Sequence, residues 1–125
     1  FEGKSIKPRQ NGETIRELES GQAPFATIVG CADSRVPNEL IFDQGLGDLF
    51  IIRTAGQVSA AASYGSMEFA VTKLKTKLIV VLGHTECGAV AAAVSRPENV
   101  PGHIVTLINE IKPAAKNVCI YLVIL

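Results

Sequence analysis

The sequence predicts an α/β fold, a mainly parallel sheet flanked by helices. Two observations carry that expectation. Short, continuous apolar runs rich in β-branched residues stand at residues 25–29 (FATIV), 49–52 (LFII) and 78–82 (LIVVL). Such runs suit strands covered on both faces, as in a parallel sheet. Between and after them, apolar residues recur with helical spacing, and alternating strands and helices give an α/β layer fold.

The elements follow in chain order. Residues 1–12 are polar, contain Pro8 and Gly12, and read as an N-terminal arm. Residues 14–20 (TIRELES) suit a helix stopped by Gly21, because glycine readily takes the backbone conformation that ends helices. The strands at 25–29 and 49–52 come next. Residues 60–74 follow as a helix, on the spacing of Ala62, Met67, Phe69, Ala70, Val71 and Leu74. The strand at 78–82 leads to an alanine-rich helix over 89–94. Residues 103–111 put Ile104, Leu107, Ile108 and Ile111 on one helical face, with Pro113 beyond, and the tail at 118–125 reads as a closing strand. No repeat or linker divides the chain, so residues 1–125 are expected to form a single domain.

Composition narrows the function classes. A chain of 125 residues supports one core but not two. Its 47% apolar and 6% aromatic content means a core of Val, Ile, Leu and Ala. Twelve basic and twelve acidic side chains cancel, leaving no electrostatic footprint for nucleic acid or an anionic membrane. The longest apolar run, residues 120–125, falls far short of the roughly 20 residues that span a bilayer. No basic-then-apolar leader opens the chain, although a first residue of Phe leaves room for a removed upstream segment. Three cysteines, Cys31, Cys87 and Cys119, are an odd number and argue for a reducing compartment rather than a disulfide scaffold. The expected setting is cytoplasmic, with an organelle or microcompartment as the alternative.

Two stretches carry chemistry. GCADSRVP, residues 30–37, follows the first predicted strand, and LGHTECGA, residues 82–89, ends the third. In parallel α/β sheets ligands gather beyond the carboxyl ends of strands, which puts Cys31 and His84 at one edge. Zinc prefers thiolate and imidazole, and a catalytic zinc keeps one position open for water. His84 and Cys87 form a short chelating loop, and Cys31 can supply a third ligand from the neighbouring strand end. A helix starting near Cys87 would help hold its thiolate. The alternative is that both cysteines are small buried hydrophobes and His84 is a hydrogen-bonded core histidine. Asp33, two residues after Cys31, could ligate the metal or accept a hydrogen bond from a water on it. Arg35 would keep Asp33 ionised in a bidentate pair. The bland reading of those two is a surface ion pair of little worth.

On these residues the chain resembles the beta class of carbonic anhydrases. CADSRVP and GHTECGA resemble that family's two signature segments, and residues 48–56 (DLFIIRTAG) and 66–71 (SMEFAV) match as well. The resemblance covers roughly residues 21–94. It implies a parallel α/β domain assembled as homodimers or higher multiples, with active sites at the subunit interface. It implies Zn2+ on Cys31, His84 and Cys87, and a catalytic dyad of Asp33 and Arg35, with Asp33 as an alternative fourth ligand in a closed state. Gln22 falls where the family places a glutamine that hydrogen-bonds substrate. Phe50 and Phe69 fall on positions lining an apolar pocket for carbon dioxide, with core packing as the other reading. The implied reaction is reversible hydration of carbon dioxide to bicarbonate and a proton.

Two departures stand out. Family members with an inhibitory bicarbonate site carry a tryptophan three residues before the first zinc cysteine; this chain has Ile28 there and no tryptophan. The chain also reads as shortened at its C-terminal end, with NVCIYLVIL running almost directly into the presumed closing strand. Cys119 has no family counterpart and defaults to a buried or unpaired thiol. His103 reads as a surface residue at a helix start, with proton shuttling as the alternative. The rivals are hydrolysis of carbon disulfide or carbonyl sulfide on the same fold, and a non-catalytic zinc-containing interaction module. An uncharged edge strand at the tail and a draping polar arm are further reasons to expect a dimer.

Overall fold

The computed structural model describes residues 6, 9–95 and 99–122, with side chains described as far as residue 117. Three parallel strands form one sheet in the order β2-β1-β3. Strand β1 (Ala26–Cys31) lies in the middle and buries all six of its residues. It pairs with β2 (Leu49–Thr54) from Ala26 against Leu49 to Cys31 against Thr54. It pairs with β3 (Ile79–Leu82) from Thr27 against Ile79 to Gly30 against Leu82. All three strands therefore end at the same edge.

Helices fill the connections. Helix α1 (Gly12–Glu17) is capped by the Asn11 side chain, which accepts from the Thr14 N–H, and a short 3-10 turn (Leu18–Ser20) leads to Gly21. Helix α2 (Asn38–Ile41) lies between β1 and β2. It packs its fully buried Asn38 onto Gly30, where a Cβ would collide with the Asn38 amide. A 3-10 turn (Ala55–Gln57) and α3 (Ala61–Thr72) connect β2 to β3. Helix α4 (Gly88–Ser95) follows β3, and α5 (Ile104–Leu122) packs against α4. The core runs through Ala26, Ile28, Val29, Ile52, Ala70 and Ile108.

The expected fold class holds, and several element boundaries shift. β1 runs on through Gly30 to Cys31, because the ladder with β2 continues to Thr54. Cys31 is therefore the last strand residue and not one beyond it. β3 is an edge strand and is not covered on both faces, leaving Ile79 and Val81 40% and 68% exposed. α1 starts at Gly12, so the polar arm is shorter than residues 1–12; of that arm only residue 6 and residues 9–12 are among those described.

The tail is the largest correction. Residues 118–122 continue α5 and are not a closing strand, while residues 123–125 lie outside the described residues. The apolar face of Ile104, Leu107, Ile108 and Ile111 runs on into Ala114 and Ala115, with no glycine or turn to stop it. Extending a formed helix adds a hydrogen bond per residue, whereas a strand needs a free partner edge. Pro113 sits inside this helix and does not end it; it removes one N–H but leaves the turns on either side. The edge-strand argument for a dimer falls with this correction. The side chain of Cys119 lies outside the described ones.

Candidate metal centre

The carboxyl ends of β1 and β3 bring Cys31, His84 and Cys87 together. Their ligand atoms all lie within 4.8 Å of one another, with both cysteines buried and His84 half-buried. The two sulfurs are 4.0 Å apart and the thiols are free. Two thiolates about 2.3 Å from a tetrahedral ion would stand about 3.8 Å apart. The donor set and its spacing therefore fit zinc.

Local structure aims each donor. His84 lies two residues past β3, and its Nδ1 is 2.9 Å from the Thr85 carbonyl oxygen. A carbonyl can only accept, so Nδ1 carries the proton and Nε2 keeps a lone pair, the arrangement of a metal-ligating histidine. His84 Nε2 is buried with no hydrogen-bond partner among the described residues, an orphan that a metal ion would satisfy. Cys87 immediately precedes α4, whose amino end carries the positive pole of the helix dipole. The Cys31 sulfur accepts from the backbone N–H of Asp33 at 3.4 Å and of Gly56 at 3.2 Å. Burial would push the Cys31 thiol up, but these N–H groups and the neighbouring His84 and Cys87 outweigh it and bring it down to about 7. A thiol so lowered gives up its proton to a metal at little cost. The Cys31 thiol in turn raises His84 above the ordinary imidazole value, against the effect of burial.

Gly56 is the hinge of this arrangement. It adopts φ 66°, ψ 24°, in the left-handed region, and an added Cβ would stand 2.7 Å from Ile111 and 3.0 Å from Ala89. Only glycine both turns there and lets α4 and α5 approach while its N–H points at sulfur.

Asp33 and Arg35 form the expected pair beside the donors. Arg35 Nε donates to Asp33 Oδ1 at 2.9 Å and Nη2 to Oδ2 at 2.7 Å, while the Arg35 backbone N–H adds a third bond to Oδ1 at 2.9 Å. These bonds and the guanidinium charge hold Asp33 well below the usual carboxylate range. Nη2 also donates to the Glu86 carbonyl at 3.0 Å. Asp33 Oδ2 is 3.9 Å from His84 Nε2. The pair is therefore tied across to the His84–Cys87 loop and is more than a lone turn.

Gln22, Phe50 and Phe69 lie elsewhere. Phe50 pairs with Thr27, four residues before the Cys31–Thr54 pair, which at about 3.3 Å per residue is roughly 13 Å away along the sheet. Its ring meets Phe69 of α3, centroids 6.3 Å apart. Phe50 is half-buried and Phe69 is 47% exposed, so simple core packing accounts poorly for Phe69. Gln22 lines a cavity of about 750 Å³ with Leu18, Leu46, Leu49 and Leu74, also at the amino end of the strands. One chain thus divides the expected site residues between opposite edges of its sheet.

Sequence reasoning missed Arg53, Gly56 and the carbonyls of Thr85 and Glu86. Arg53 had a visible signal, a cation continuing the apolar run LFII exactly where a buried strand would exclude it. Backbone carbonyls leave no such trace.

A parallel sheet of this order with thiol and imidazole donors at its strand ends defines the class, an α/β domain built around a candidate metal centre. The sequence profile of the carbonic anhydrase family matches residues 26–121, and the chain belongs to that family, in its beta class. Carbonic anhydrase 2 of Mycobacterium tuberculosis is 56% identical over 93 residues, which is 74% of this chain and 45% of that relative. The carbonic anhydrase of Mycolicibacterium smegmatis is 54% identical over the same shares. The chain thus spans less than half the length of these curated relatives. A tetrameric beta-carbonic anhydrase of Sordaria macrospora has the same fold, with a TM-score of 0.79 and 30% identity over 92% of this chain and 59% of that one. A carbon disulfide hydrolase, 24% identical with a TM-score of 0.51, shares the fold alone, over 59% of this chain and 39% of that one.

Proposed function

We propose that this chain carries the zinc centre of a carbonic anhydrase that reversibly hydrates carbon dioxide to bicarbonate and a proton. The observation that carries the reading is the bidentate Asp33–Arg35 pair standing 3.9 Å from His84 Nε2, beside a cluster fit for zinc. A zinc-containing interaction module would have no use for that pair. Cys31, His84 and Cys87 would hold the ion, whose Lewis acidity brings the ionisation of water into the neutral range.

The chain's own residues then act on substrate. Asp33, kept ionised by Arg35, accepts a hydrogen bond from the attacking water and turns a lone pair toward the carbon of carbon dioxide. The three hydrogen bonds from Arg35 hold the carboxylate away from ligation and speak for an open arrangement, with the closed one reached only if Arg35 lets go. Phe50 and Phe69 offer an apolar seat for a nonpolar substrate, and Gln22 a hydrogen bond to it. Because these three lie at the amino end of the sheet, they serve the centre of a second copy, so the functional unit is a homodimer or a multiple of it. No helix among the described residues is long and apolar enough to cross a membrane.

Stopped-flow hydration of carbon dioxide by zinc-replete protein tests the reading, with carbon disulfide and carbonyl sulfide as competing substrates. Hydration far above the uncatalysed rate is expected. Stoichiometric zinc with no hydration would leave the interaction module, and preference for the sulfur substrates would leave the hydrolase.

A further inference from the structure

Arg53 is the penultimate residue of β2, where its side chain shares the face of Gly30, its partner in the ladder. Its guanidinium donates through Nε to the Cys31 carbonyl at 2.9 Å and through Nη2 to the Asp33 carbonyl at 2.8 Å. Between those two carbonyls, the Ala32 N–H donates to the Thr54 carbonyl at 2.9 Å. Three consecutive residues, the strand-end Cys31 and the first two residues of the loop that follows it, are thus fastened to the last two residues of β2. The first carries a candidate metal-binding sulfur and the third the candidate catalytic carboxylate. Among the described residues Arg53 has no carboxylate partner, so neither hydrogen bond is incidental to an ion pair.

We propose that Arg53 is a positioning residue for the metal centre: by holding both carbonyls in one planar fork it fixes the directions in which the Cys31 sulfur and the Asp33 carboxylate leave the loop. The proposal rests on the zinc reading above. The guanidinium's donors are rigidly spaced and reach two acceptors at once, whereas an ammonium on a flexible stem supplies the same charge without that geometry. Clamping the two carbonyls also commits the intervening backbone, whose Asp33 N–H points at the Cys31 sulfur. Without the fork, the loop is free to turn its carbonyls to solvent, and the sulfur and carboxylate turn with them.

The test uses the full chain with Arg53→Lys and Arg53→Met. Cobalt(II) replaces zinc as a visible probe, and metal loss to a chromophoric chelator gives the off-rate. Both variants are expected to release metal faster, by about 10–100-fold, the range for losing an outer partner of a metal ligand. The cobalt d–d and thiolate charge-transfer bands should shift, with Arg53→Lys giving little rescue because charge alone is not the cause. Arg53→Lys retains the aliphatic stem and the charge, so it is the variant to rely on if Arg53→Met fails to fold. Bands and release rates within twofold of the parent, whether or not the melting temperature falls, would overturn the positioning role. Failure of the parent chain itself to take up cobalt or zinc would overturn the metal reading together with this one.

Discussion

At the carboxyl end of the sheet three side chains of the candidate centre are tied down: His84 to the Thr85 carbonyl, Cys31 to two N–H groups, Asp33 to Arg35 through three bonds. At the amino end Gln22 is exposed and makes no hydrogen bond among the described residues, and Phe69 is nearly half exposed against Phe50. Phe25, Leu46 and Val71 add apolar surface there, 58%, 43% and 44% exposed. The first edge is organised before anything binds. The second has apolar groups and a free amide awaiting a surface to meet. Preorganisation suits metal and dyad; an open apolar edge suits residues that work only against a second copy.

The largest effect should come from breaking the organised edge. Cys87→Ser is expected to lose nearly all bound zinc, beyond the roughly 10–100-fold penalty of removing an outer partner; metal analysis after dialysis checks it, and full retention would dismantle the site. Next, Asp33→Ala and Arg35→Ala should keep zinc while hydration falls by about 10²–10⁴, the range for a positioned proton-handling group. Rates near the parent's in both variants would reduce the dyad to a structural turn.

Mixing experiments sharpen the comparison itself. Cys87→Ser protein has an intact amino edge, and a Gln22→Ala, Phe69→Ala double variant has an intact carboxyl edge. If each site takes one edge from each copy, refolding the two inactive proteins together should restore about one quarter of parental activity, since half of randomly formed dimers are mixed and each mixed dimer has one good site. Activity no higher than the sum of the separate proteins would mean that the two edges do not cooperate.

The smallest effect compares one glycine from each edge. Gly56→Ala strains φ 66° and drives a Cβ against Ile111 and Ala89, so it should cost about 1–3 kcal/mol and also weaken zinc binding through the N–H to Cys31. Gly47→Ala, at φ 81° against the flexible end of Leu18, should cost about 1 kcal/mol and leave zinc untouched. Chemical denaturation with metal analysis separates them, and equal zinc loss in both would deny Gly56 any special link to the centre.

Much of this was readable from residue types. Continuous β-branched runs marked all three strands, although only the central β1 buries both faces completely and β3 leaves Ile79 and Val81 exposed. The same signal overreached at residues 118–122, where Val118 and Ile120 continue a helix already under way. The soft donors stand out by residue type, but cysteine and histidine after buried strands also serve as core residues, and Asp33 and Arg35 beside them are what tilts the reading toward a metal. Their partners were silent. Thr85 and Glu86 act through carbonyls that every residue owns, and α2 has only the four residues Asn38–Ile41, too few to show a period. That Gln22 and Phe50 lie at the opposite edge from Cys31 follows from strand direction, which no single residue encodes.

The register of β1 also bears on the order in which the chain can fold. Cys31 and Cys87 are 56 residues apart in sequence, and Arg53 and Gly56 reach Cys31 across 22 and 25. The central strand is made first but acquires its second neighbour only when residues 79–82 exist, so no early fragment can close the sheet. Long-range parallel pairing of this kind slows folding, because loop entropy is lost before contacts repay it. The donors straddle that same interval. An ion held by Cys31 and Cys87 together would close the longest of these loops, so metal present during refolding is expected to speed formation of the sheet, which refolding rates with and without zinc would check.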